Sequence, residues 1–120
     1  MKISYKGGEA MKTIDPDIIS AINPVVVKYP GIIRIGIFGS YARNEIEKND
    51  VDIVYEEYPK YSVIDMLNFQ ADLRNSISEK IHKDSDILTY KSIIAETDDE
   101  DDEYIKQNIL KDIVWVYEKE

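Results

Sequence analysis

The stretch IGIFGSYARNEIEKNDVDIVYE, Ile35 to Glu56, sets a polar segment between two runs of strand-forming residues. Side chains alternate across a strand, so Asp50 and Asp52 are expected to share one face while Val51 and Ile53 point into a core. Two carboxylates on one face repel each other, and a bound cation would account for them. Between the runs, GSYARNE reads as a small-residue turn that opens a short helical piece.

Outward from this stretch the chain is legible in both directions. Upstream, Asp15 and Pro16 form a cap and first-turn pair, and Ile18, Ile19, Ile22, Val25 and Val26 recur at helical spacing. Pro24 is expected to kink that helix or end it early. The turn at Pro30 and Gly31 leads into IIRIGIF, a buried strand. Residues 1 to 12, with Gly7 and Gly8 and no period, read as a loose terminus or short edge strand, and Met11 offers a second start.

Downstream, VDIVYE is the second strand, and Ser62 caps a helix carrying Ile64, Leu67, Ala71, Leu73, Ile77 and Ile81. DSDILTY is a third strand and KSII a single helical turn. The acidic run Asp98 to Glu103 is a loop or helix start, and YIKQNILKDIVWVYEKE a final amphipathic helix. Acids at the beginning of that helix suit its dipole. The pattern predicts an α/β (α+β) fold in a single domain over residues 1–120.

Composition narrows the chemistry. At 43% hydrophobic and 32% charged residues, the chain is of ordinary globular type. With no Cys and His82 as its only His, thiolate and zinc sites are excluded, and oxygen ligands suited to Mg²⁺, Mn²⁺ or Ca²⁺ remain. No apolar run approaches the roughly 18 residues that span a bilayer, and the N-terminal segment lacks a secretory core, so the expected location is cytoplasmic. A net charge of −9 argues against a surface that grasps nucleic acid. The acidic run holds six of the chain's 24 acids, which leaves room for a basic partner.

One constellation carries chemistry. Asp50 and Asp52 are spaced to clasp a cation, and Asp86, near the start of another apolar strand, can supply a third carboxylate. Three carboxylates are a common holder of two Mg²⁺ ions that activate an attacking oxygen and stabilise departing pyrophosphate. Gly39 and Ser40 lie where a strand turns into a helix, a place where backbone N–H groups approach phosphate oxygens. Arg43, one turn later, can add a planar positive fork. Taken singly, each has a plainer reading: D-x-D at a strand edge, Gly-Ser as a turn, Arg43 as a surface ion-pair partner, Asp86 as a strand start. Their joint order favours the site.

That order, GSYARNEIEKNDVDI with Gly39, Ser40, Ala42, Arg43, Asp50 and Asp52, resembles the signature of the minimal nucleotidyltransferases (MNT) of the DNA polymerase β-like superfamily. DILTY from Asp86 resembles the family's third-carboxylate strand, and IKQNILKDIVWVYE its closing helix. The resemblance runs over roughly residues 15–118 and implies a small mixed sheet with helices packed on it. It implies a Mg²⁺-dependent enzyme with Asp50, Asp52 and Asp86 as metal ligands and catalytic carboxylates, and Gly39, Ser40 and Arg43 holding ATP. It also implies an antitoxin that transfers AMP to a tyrosine of a HEPN-type ribonuclease toxin, in a hetero-oligomer with it. Asp86 would then orient or deprotonate the acceptor hydroxyl.

Three features depart from the family pattern: Asn44 in place of Gly, Asn49 in place of Ser, and a nine-residue spacer between Ser40 and Asp50. Asn tolerates turn conformations and its amide can hydrogen-bond as Ser does. The rival readings are a small-molecule nucleotidyltransferase and a non-enzymatic antitoxin that neutralises its toxin by binding. His82 is assigned no role, Trp115 reads as core packing, and the acidic run as a solvated segment or a patch for a basic toxin surface.

Overall fold

The computed structural model describes residues 14–120, so the expectation for residues 1 to 12 lies outside the described residues. In chain order the elements are α1 (Pro16–Val26), β1 (Ile32–Phe38), α2 (Gly39–Ala42), β2 (Val51–Glu57), α3 (Val63–Ile81), β3 (Ser85–Thr89), α4 (Tyr90–Ile94), α5 (Glu100–Asp112) and β4 (Val114–Glu118). The strands form one mixed sheet in the order β3-β2-β1-β4. β1 runs antiparallel to β2 and β4, and β2 runs parallel to β3. Both the α/β (α+β) class and the small mixed sheet expected from the sequence are found.

The two sheet faces are built differently. On one face Ile35, Ile37, Val51, Ile53, Tyr55 and Ile87 join Ile18, Ile22, Val25 and Val26 of α1 and Phe69, Leu73 and Ile77 of α3 in the main core. Burying each such aliphatic or aromatic side chain stabilises by about 1.5–3 kcal/mol. Phe69 sits edge-on to Tyr29 and Tyr55, with centroids 5.5 and 5.0 Å away. The buried Tyr55 hydroxyl accepts a 2.8 Å hydrogen bond from Gln70, which satisfies its polar end. On the opposite face Phe38, Val54 and Ile93 form a smaller cluster with Leu88, Tyr90, Ile109, Ile113 and Trp115, under α4 and α5. Alternation along β2 then assigns Asp52 and Glu56 to this thinner face.

Local signals explain the ends of the helices. Asp15 caps α1 by accepting from the Asp17 N–H, and Ser62 caps α3 by accepting from the Asp65 N–H. His82 closes α3 in the left-handed conformation and is exposed, a structural role at a helix end. α1 runs two residues past Pro24. The ring removes only the bond to the Ser20 carbonyl, and both residues are exposed, so solvent substitutes for it.

Two expectations are corrected. Ile64, Leu67 and Ala71 do not face the core. Ile64 is 70% and Leu67 60% exposed, because the i, i+4, i+8 row Phe69, Leu73 and Ile77 takes the buried side and sets the others outward. Of the two readings of the acidic run, the helix start is the one found: Asp99 accepts from the N–H groups of Asp101 and Asp102, and Glu100 to Glu103 form the first turn of α5. The final helix ends at Asp112, and VWVYE is strand β4, paired with β1 from Arg34 to Ile37. Trp115 packs in the smaller cluster, and its ring lies 3.8 Å from the Arg34 guanidinium carbon.

Candidate functional site

At the C-terminal end of β1, Phe38 pairs with Asp52, and across β2 Asp52 pairs with Asp86. Parallel strands lie about 4.8 Å apart, so the two carboxylates rise side by side from neighbouring strands. Asp50 is exposed in the bend one residue before β2 starts. The structure thus brings Asp52 and Asp86 together, with Asp50 at the margin rather than in the ladder.

Gly39 follows Phe38 directly and starts α2 with φ +72°. A Cβ there would stand 2.2 Å from Oδ2 of Asp52, inside any permissible contact. Only glycine allows both that backbone conformation and this approach of carboxylate to backbone. Ser40 is 6% exposed, and its Oγ accepts from the Asn49 N–H at 3.4 Å, tying the first turn of α2 to the entry of β2. Position 49 thus contributes its backbone N–H rather than its side chain. Asn44 adopts φ 55°, the left-handed turn that Asn accepts better than most residues, and Glu45 N–H returns to the Ser40 carbonyl at 3.1 Å.

Arg43 caps α2, its own N–H bonding the Gly39 carbonyl at 3.0 Å. Its guanidinium is held by two carboxylates: Nε and Nη2 lie 2.9 and 2.7 Å from Oε1 of Glu45, and Nη1 donates to Oδ2 of Asp112. Sequence reasoning missed Asp112. It stands 69 residues from Arg43, and no local pattern announces it. Glu45, two residues away, was readable as a neighbour.

Electrostatics mark Asp52 as the site's centre. Its carboxyl is pushed up to about 6, first by burial and then by the charges of Asp86 and Asp50, while Arg43 pulls it back down. Neighbouring carboxylates make a hard, all-oxygen donor set, the kind that suits Mg²⁺. Among the described residues no three His, Cys, Asp or Glu side chains form a group that could hold a metal ion, so Asp50, Asp52 and Asp86 are not gathered as a ready three-ligand set. Chemically, the arrangement offers carboxylates for a cation, a glycine-edged turn beside them, and a cation at the rim.

Comparison with known proteins fits a family to this arrangement. The family described as polymerase beta, nucleotidyltransferase matches residues 20–120. A chain of Methanocaldococcus jannaschii named as a protein adenylyltransferase is 41% identical over 73 residues, covering 60% of this chain and 73% of the relative. Among solved structures, a mutant of the toxin-antitoxin MntA-HpeT superposes with TM-score 0.56 at 13% identity, over 86% of this chain and 74% of that one. A toxin-antitoxin crystallised with AMP-PNP superposes with TM-score 0.54 at 15% identity, over 88% and 73%. At such identities the two structures speak for the fold. Among the described residues no helix is long and apolar enough to cross a membrane.

Proposed function

Because the chain belongs to the polymerase β nucleotidyltransferase family, we propose that it is a protein adenylyltransferase of the antitoxin kind, moving AMP from ATP to a tyrosine of a HEPN-type toxin. One observation carries the reading: Asp52 faces Asp86 across two parallel strands, with the Gly39 backbone packed against the Asp52 carboxylate. The relative named as a protein adenylyltransferase supports a protein acceptor, and the toxin-antitoxin structural neighbours support the antitoxin context.

Each residue has a role in this reading. Asp50, Asp52 and Asp86 would hold Mg²⁺, two ions in the family's manner, which when bound offset the triphosphate charge and polarise the α-phosphorus. Backbone N–H groups at Gly39 and Ser40 and the Arg43 guanidinium bind phosphate oxygens. Asp86 orients the acceptor hydroxyl and takes its proton as the oxygen attacks the α-phosphorus in line. Pyrophosphate leaves. The partner and substrate are then the toxin, in a hetero-oligomer, and ATP, and the setting is cytoplasmic.

The test is transfer of α-labelled ATP. Incubated with Mg²⁺ and a HEPN toxin encoded beside it, the protein is expected to label the toxin. Binding without label would identify an antitoxin that acts by contact alone.

A further inference from the structure

Arg43 is anchored to two separate elements. Glu45 grips one edge of its guanidinium from the same turn, and Asp112, the last residue of α5, takes Nη1 from the layer covering the thinner sheet face. A partner two residues away could only move with Arg43's own turn. Asp112 instead references the guanidinium to α5, whose next residues enter β4 beside β1. The Arg43 side chain is 50% exposed and that of Asp112 24%, so the pair adds little to stability and its value must be sought in orientation. A guanidinium carries five N–H donors, more than these contacts use, which leaves donors for a third anion.

We propose that Asp112 is a positioning residue for the nucleotide: it holds Arg43 at the rim of the Asp52 and Asp86 site with N–H donors available to the triphosphate. The inference rests on the nucleotidyltransferase reading and extends it to a residue on α5. The Arg43 charge already reaches Asp52, whose carboxyl it draws down against the push of burial and of the other two carboxylates.

The sign of one substitution decides the matter. Asp112→Asn removes a negative charge near a site for a polyanion, so electrostatics alone would tighten ATP binding. Positioning predicts the reverse: weakening by about five- to tenfold, the scale of one disturbed charge-assisted hydrogen bond. Calorimetric titration of the full chain with ATP in Mg²⁺ buffer reads this without any acceptor. Asp112→Glu is expected to recover part of the affinity, and in an Arg43→Ala background Asp112→Asn should have no further effect. Thermal melts of each variant verify folding. Wild-type protein that binds ATP while Asp112→Asn binds equally or more tightly overturns the positioning role alone. Wild-type protein that binds no ATP overturns the nucleotide site and the inference with it.

Discussion

Asp52 and Asp86 stand opposite each other in the parallel ladder of β2 and β3, and neither has a counter-charge on those strands at that level. The Asp52 carboxyl is raised from 3.8 to about 6, first by burial and then by the charges of Asp86 and Asp50. Its folded form binds a proton more tightly than its unfolded form. The contribution of Asp52 to stability is therefore greatest below about pH 4, falls as pH rises to about 6, and stays low above that. Asp52→Asn is expected to melt higher than wild type at pH 7 and to lose this part of the pH dependence. Melting temperatures of both proteins at pH 4.5 and 7 measure it, and a wild type that gains more than the variant on raising the pH contradicts it. Adding Mg²⁺ at pH 7 should raise the wild-type melting temperature more than that of Asp52→Asn.

Gly39→Ala tests the close approach at the turn. The new methyl meets the Asp52 carboxylate and occupies a left-handed backbone position that costs roughly 1–2 kcal/mol in strain. Lower stability in urea unfolding and loss of nucleotide transfer are expected together. A variant with wild-type stability and rate would mean that the turn can relax without cost.

Asp99→Ala removes the α5 cap, which accepts two N–H bonds, and should destabilise by about 1 kcal/mol. Asp98→Ala, one residue before the cap, should change stability little. Denaturation midpoints of the two variants compare them directly, and equal midpoints would remove the capping role.

Arg34 lies over the rings of Trp115 and Tyr90, 3.8 and 4.6 Å from their centroids, and its Nε donates to Glu56 at 2.6 Å. Arg34→Ala and Trp115→Ala should each destabilise. Their double-mutant cycle should give a coupling of about 0.5–1 kcal/mol, the usual size of a cation–π contact at a partly exposed site. Strict additivity would show that the stack contributes nothing of its own.

How much of this was legible in the sequence depended on whether the deciding physics was local. The caps at Asp15 and Ser62, the strand IIRIGIF, the one-turn helix at KSII and the turn tolerated by Asn44 all follow from side chains acting within a few residues. β4 did not. VWVYE continues an apolar pattern directly from α5 with no Gly or Pro between them, and only pairing with β1 makes it a strand. Ile64 and Leu67 fit a helical period, but the period alone could not say which side met the sheet. At the site, the order of Gly39, Ser40, Arg43, Asp50, Asp52 and Asp86 was readable. The pairing of Asp52 with Asp86 and the grip of Asp112 on Arg43 were not, because strand register and helix docking set them across long stretches of chain.

The most direct test of the central claim is intact-mass measurement of a cognate HEPN toxin after incubation with ATP, Mg²⁺ and either the wild-type chain or Asp52→Asn. The account predicts one or more AMP additions with wild type and none with the variant. An unmodified toxin with wild type, or the same mass gain with Asp52→Asn, would contradict it.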